Sequence, residues 1–110
     1  MVKFKEIYRA FAIIIVDNNI YVFGNDKEIL PSVDFEKGEN PKHALINKLK
    51  EYGVSVERIK EYRELPHISY FDGKKPIISY FFEIDKYRGE IKAPAGFELK
   101  KISKQKIEEF

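Results

Sequence analysis

The sequence predicts an α+β fold: a mixed β-sheet sandwich around one central helix, closed by a short C-terminal helix. Three observations lead there. A β-branched run near the start meets turn chemistry, one helix is strongly signalled after residue 40, and two aromatic-rich runs flank a Gly-containing loop.

Phe11 to Val16 is a continuous apolar stretch, followed by Asp17-Asn18-Asn19 and then Ile20 to Phe23, the pattern of a β-hairpin with a short loop. Gly24-Asn25-Asp26 ends the second strand. Residues 28–33 (EILPSV) read as a short extended piece that Pro31 keeps from being a central strand. Asp34 to Asn40 reads as a polar loop broken by Gly38. Asn40 is a good N-cap with Pro41 at the first helical position, where its missing N–H costs nothing. Leu45, Leu49 and Tyr52 form an apolar stripe with Ala44 beside it, and Gly53 is a left-handed stop. Val54 to Leu65 is extended with polar interruptions. Residues 67–71 (HISYF) and 77–84 (IISYFFEI) flank DGKKP as a second hairpin. YRGEI at 87–91 turns the chain, APAG at 93–96 is a loop, and FELKKI at 97–102 is a last strand. Ser103 can cap a terminal helix over 104–110.

The 110 residues make one domain, 1–110, of a size whose core can bury roughly two-thirds of the unfolded surface. The chain is 44% hydrophobic and 35% charged, and its longest apolar run, Ala10 to Val16, is strand-length, so no membrane span is expected. Met1 to Ala10 is charged and lacks a cleavage signature, which makes a leader peptide unexpected and the cytoplasm the expected location. The absence of cysteine removes disulfides, thiolate zinc sites and thiol nucleophiles. Two histidines, His43 and His67, are too few for an all-histidine metal site. The net charge of +2 does not point to nucleic acid. High Lys, Glu, Ile and Tyr content leans toward a thermophile.

Residues 30–56 (LPSVDFEKGENPKHALINKLKEYGVSV) resemble the Nudix box, G-x5-E-x7-R-E-U-x-E-E-x-G-U with U a bulky aliphatic residue, and the element order resembles the Nudix hydrolase fold over nearly the whole chain. That resemblance implies a loop–helix–loop that holds Mg2+ or Mn2+ against a pyrophosphate. Carried over by position, Leu30-Pro31 fits, but Ser32 and Val33 stand where paired glycines belong. Glu36, Gly38 and Glu39 fit the loop, with Glu39 in the first glutamate position. Asn47 occupies the arginine position and Lys48 the next glutamate. Leu49 and Glu51 fit, Tyr52 replaces the last glutamate, and Gly53 arrives one residue early.

These departures matter physically. Carboxylates at i, i+3 and i+4 converge on one helix face, and magnesium is held by carboxylates together with substrate phosphates. Here that face offers an ammonium, one carboxylate and a phenol. Lys48 and Glu51, three apart, read first as an exposed ion pair. Val33 resists the positive φ that a glycine would allow, so the loop is expected to follow another path.

Three readings follow. The first is a catalytically degenerate Nudix-like domain that binds a nucleotide-like molecule or a protein partner, a homodimer being one option and no cofactor being expected. Lys48 with Lys37 or Lys42 would meet phosphates directly, and Phe35, Tyr70 or Phe81 would stack a base. The second is a residual pyrophosphohydrolase of nucleoside diphosphate-linked compounds. It would assemble a Mg2+ or Mn2+ site from Glu39, Glu51 and a loop carboxylate, Glu36 or Asp34. The third is a nucleic-acid or assembly module using Lys100, Lys101, Lys104 and Lys106, whose plainer reading is a solvated face diluted by Glu108 and Glu109. Nucleic acid is the least favoured partner, and His43 reads as a surface residue.

Overall fold

The computed structural model of the protein describes residues 6–62, 67–71 and 75–109. Its strands are β1 (Ile7–Val16), β2 (Asn19–Gly24), β3 (Glu28–Ile29), β4 (Ser32–Phe35), β5 (Ser55–Glu61), β6 (His67–Phe71), β7 (Lys75–Arg88) and β8 (Glu98–Ser103). One helix, α1 (Pro41–Glu51), lies between β4 and β5, and a 3-10 helix, Lys104–Glu109, follows β8.

Asp17 and Asn18 both adopt positive φ (47° and 65°), which gives the tight two-residue turn that joins β1 to β2 at the Val16–Asn19 pair. β1 is the organising strand. One edge pairs in parallel with β7 from Ile7–Ile77 to Ile14–Ile84. Its other edge takes β4 along Tyr8–Phe11 and then β2 at Ile15 and Val16. The far edge of β7 is shared in succession by β6 and β5. β2 pairs along its full length with β8 and, at Phe23 and Gly24, with β3.

The segment from β3 to β4 therefore turns the corner between two strands that splay apart. Pro31, buried and lacking an N–H to orphan, sits at that corner, and its carbonyl accepts from Ala12 N at 2.8 Å. Ser32 and Val33 continue directly into an edge strand. The polar loop expected from Asp34 accordingly starts two residues later, because Asp34 and Phe35 pair with Arg9 and Tyr8.

Alternation along β1 builds two cores, one on each face of the sheet. Ala10, Ala12 and Ile14 face Leu45, Leu49, Val54, Phe82 and Ile84. The two alanines leave room for α1 to approach the strand. On the other face Ile13 joins Ile20, Val22, Leu30 and Phe81 under Ile107 of the terminal helix. That helix is 3-10 rather than α. It spans Lys104–Glu109, and Ser103 Oγ accepts from Gln105 N at 3.3 Å. Its short reach suffices to lower Ile107 onto the sheet.

The helix boundaries are set by local chemistry. Asn40 Oδ1 accepts from Lys42 N (2.9 Å) and His43 N (3.2 Å), satisfying two donors that have no intrahelical acceptor. At the other end Gly53 has φ +89°, and a Cβ there would lie 2.4 Å from Glu90 O. The helix stops one residue early because the chain must pass this close to the 89–92 segment, where Lys92 N donates to Tyr52 O at 2.8 Å.

Cross-strand ion pairs cover the exposed part of β5 and β7. Arg58 holds Asp85 through two hydrogen bonds (2.7 and 2.9 Å), while Glu57 pairs with Arg88 and Lys86. No helix among the described residues is long and apolar enough to cross a membrane.

Candidate functional site: a cationic cleft beside the helix

α1 packs over β1 and β4, and two open clefts lie along β4 and meet at Asp34. The first, about 410 Å3, is lined by Arg9, Ser32, Val33, Asp34 and Lys48. The second, about 330 Å3, is lined by Glu6, Ile7, Tyr8, Asp34, Phe35, Glu36 and Lys37.

In the first cleft Arg9 reaches across the β1–β4 pair. Its Nε donates to Asp34 Oδ1 at 2.6 Å and its Nη2 to Oδ2 at 3.2 Å, a two-pronged ion pair. From the helix comes Lys48, whose Nζ lies 3.3 Å from Glu51 Oε2 and 5.5 Å from the centre of the Tyr52 ring. The ion pair expected from the i, i+3 spacing is formed. The cations are the more sheltered partners: Arg9 and Lys48 are 33% and 34% exposed, against 59% for Asp34 and 66% for Glu51.

The second cleft is aromatic on one side. The Phe35 ring stands between Tyr8 and Tyr80, with centroids 5.7 Å away on each side. Tyr8 also hydrogen-bonds Glu6, which raises its phenol pKa. Phe81, the other aromatic proposed for stacking, is instead a core residue on the opposite face, stacked on Phe11 at 5.0 Å. The Tyr70 and His67 side chains lie outside what the structure describes. Lys37 lines the aromatic cleft, whereas Lys42 lines neither.

The loop carboxylates are engaged locally. Glu39 Oε1 accepts from Glu36 N at 2.9 Å, and Glu39 N donates to Glu36 O at 3.0 Å, so this pair clasps the turn before the helix. Among the described residues no three Asp, Glu or His side chains gather in a way that could hold a metal ion. Glu39, Glu51 and either Glu36 or Asp34 are therefore not brought together as a metal centre. The donor set also disagrees with the divalent ion implied by the resemblance, because Arg9 and Lys48 line the cleft, its carboxylate Asp34 is already paired with Arg9, and Glu51 is paired with Lys48.

Arg9 is the residue that sequence reasoning missed. A single arginine on a strand reads as solvent-facing, and its partner is 25 positions away. The C-terminal lysines form no comparable site: Lys101 covers the Tyr21 ring and Lys104 pairs with Glu83, both exposed. His43 is exposed on the first turn.

No protein-family model matches the sequence, and no curated protein does. Solved structures do match in three dimensions. The E. coli ORF135 protein superposes with a TM-score of 0.75 at 20% identity, covering 97% of this chain and 80% of that one. A MutT Nudix hydrolase from Burkholderia pseudomallei gives 0.73 at 16% identity, covering 90% and 84%. An ADP compounds hydrolase gives 0.71 at 12% identity, covering 98% and 64%. The chain has a Nudix-like fold, and at these identities the likeness concerns the fold alone.

Proposed function

We propose that this chain is a Nudix-fold binding domain that takes a phosphate-bearing, nucleotide-like ligand and has lost metal-dependent hydrolysis. The observation that carries the reading is Lys48. It occupies the first glutamate position of the helix and lines, as Arg9 does, the open cleft along Ser32 and Val33. An ammonium and a guanidinium there attract phosphate oxygens and repel a divalent cation. Phe35, flanked by Tyr8 and Tyr80 in the adjoining cleft, supplies an aromatic surface on the same strand. Structural neighbours described as MutT proteins and as an ADP compounds hydrolase support a nucleotide-like ligand.

The test is a thermal-shift series with nucleoside mono-, di- and triphosphates and ADP-ribose, each with EDTA or with magnesium. A ligand at a hundred times its Kd stabilises by about 2.7 kcal/mol. The expected result is a shift for at least one nucleotide in EDTA, with no turnover in either condition. Magnesium- or manganese-dependent turnover would instead favour the hydrolase reading built on Glu39, Glu51 and Glu36. Silence toward every nucleotide would discard the nucleotide-like ligand.

A further inference from the structure

We infer that the open edge of β8 is a self-association surface, on which a second copy of this chain pairs strand to strand, antiparallel, about a two-fold axis at Leu99. The surface is separate from the clefts along β4 and owes nothing to the ligand reading above.

β8 pairs with β2 without a break from Glu98 to Ser103, and among the described residues no strand lies on its other side. Lys104 N donates to Asn18 O at 3.0 Å, which fixes the phase of the ladder. Backbone groups alternate in direction along an antiparallel strand, so those of Glu98, Lys100 and Ile102 turn toward β2. Those of Leu99, Lys101 and Ser103 point outward, where another strand can take them. β5, at the far edge of the sheet, is by contrast interrupted by a bulge between Val56 and Ile59.

The charges on β8 select the register. Centring a two-fold pair on Glu98, Lys100 or Lys101 sets that residue against its own copy, like charge against like. Centring it on Leu99 sets leucine against leucine, and Glu98 against Lys100 of the second copy, twice by symmetry. Leu99 is 38% exposed beside the buried Phe23, so it presents apolar area at the axis. Within the chain Glu98 lies opposite Gly24 and Lys100 opposite Val22, so β2 offers neither one a counter-charge. Lys100 lays its stem across Gly24, where a Cβ would lie 2.7 Å from the lysine Cε. Pairing requires only that this flexible, exposed stem turn to the edge. Lys101 is drawn over the Tyr21 ring, 5.7 Å from its centre, and so keeps clear of the axis. Lysines on an edge keep strands apart. On β8 a single glutamate turns that repulsion into a choice of register, and the closed symmetry leaves no β8 edge for a third copy.

The experiment is sedimentation equilibrium of the full chain, with circular dichroism of every variant as a control for folding. One short strand pair buries less than the ~1,200 Å2 of a stable interface, so wild type should dimerise only at about 0.1–1 mM. Glu98→Lys and Lys100→Glu should each weaken the dimer about tenfold or more, because each acts at two symmetric pairs. The double exchange should restore it, since the opposed charges merely trade places. The chain has no cysteine, so a single introduced thiol reports position. Opposed residues at the axis have Cα atoms about 5.5 Å apart, within disulfide reach. Leu99→Cys should therefore cross-link under mild oxidation, and Lys101→Cys, displaced from the axis in both copies, should not. Wild type that stays monomeric over that range, or a dimer indifferent to either charge reversal, would overturn the inference. So would a double exchange that remains monomeric, or cross-linking as efficient through Lys101→Cys as through Leu99→Cys.

Discussion

Gly53 and Glu90 approach so closely that a side-chain carbon on the glycine would sit 2.4 Å from the Glu90 carbonyl oxygen. That oxygen belongs to the backbone and cannot step aside cheaply, and the φ of +89° is itself unfavourable for any L side chain. Gly53→Ala should therefore destabilise the protein by about 1–3 kcal/mol. Urea denaturation reads this directly. A neutral result would mean that the 89–92 segment can move without cost to the helix end.

Leu49 is fully buried between α1 and the alanines of β1. Truncation to Ala should cost about 2–5 kcal/mol through lost transfer energy and the cavity left behind. Lys50→Ala, exposed on the same helix, should fall within about 0.5 kcal/mol of wild type. A comparable loss in both variants would contradict the orientation of the helix.

Tyr87 will titrate late. Burial first, and its hydrogen bond with Tyr21 second, push its phenol up to about 12 from the ordinary 10.0. The folded state thus holds this proton more tightly than the unfolded chain does. The resulting stability is complete below about pH 10 and disappears as pH climbs through 12. Phenolate absorbance should show a late-ionising step, and Tyr87→Phe should diminish it by one tyrosine. An unchanged titration curve in the variant would refute the assignment.

Asp85 predicts the opposite dependence at the acid end. Its hydrogen bonds from the Arg58 guanidinium hold its carboxyl below the ordinary 3.8. Its contribution is present above the unfolded pKa and fades as pH falls through the lower folded value. Asp85→Asn should lose the part of the acid dependence that wild type shows below about pH 4, measured as urea midpoint against pH. Because the pair is exposed, the effect should be small and should shrink further in salt.

What could be read from sequence follows from how local each cause is. Asn40, Pro41 and Gly53 bracket the helix because capping and termination are settled within a few residues. Asp17 and Asn18 announce the first hairpin for the same reason, and Pro31 forecasts a break in extended structure. The parallel pairing of β1 with β7 left no local trace. Strand β7 runs four residues past Ile84, through the charged Asp85 and Lys86 and into the 87–91 stretch expected to turn the chain. Those charges are accommodated because Asp85 and Lys86 each find a partner on β5. At the candidate site, Lys48 was visible as a departure from a helix pattern. Arg9 was not, because its meaning depends on Asp34 across a strand pair, and the ring around Phe35 depends on Tyr8 and Tyr80 from two different strands.

The parallel β1–β7 pairing also dictates an order of events as the chain is made. Ile7 to Ile14 are synthesised about 70 residues ahead of their partners, Ile77 to Ile84. Neither core can close before then, since Phe82 and Ile84 complete one and Phe81 the other. The β1–β2 hairpin must wait meanwhile with an unpaired strand edge. Folding should be slow for a domain of this size, because distant contacts carry the entropy of closing a long loop. A nascent chain halted before residue 81 should remain open to proteolysis.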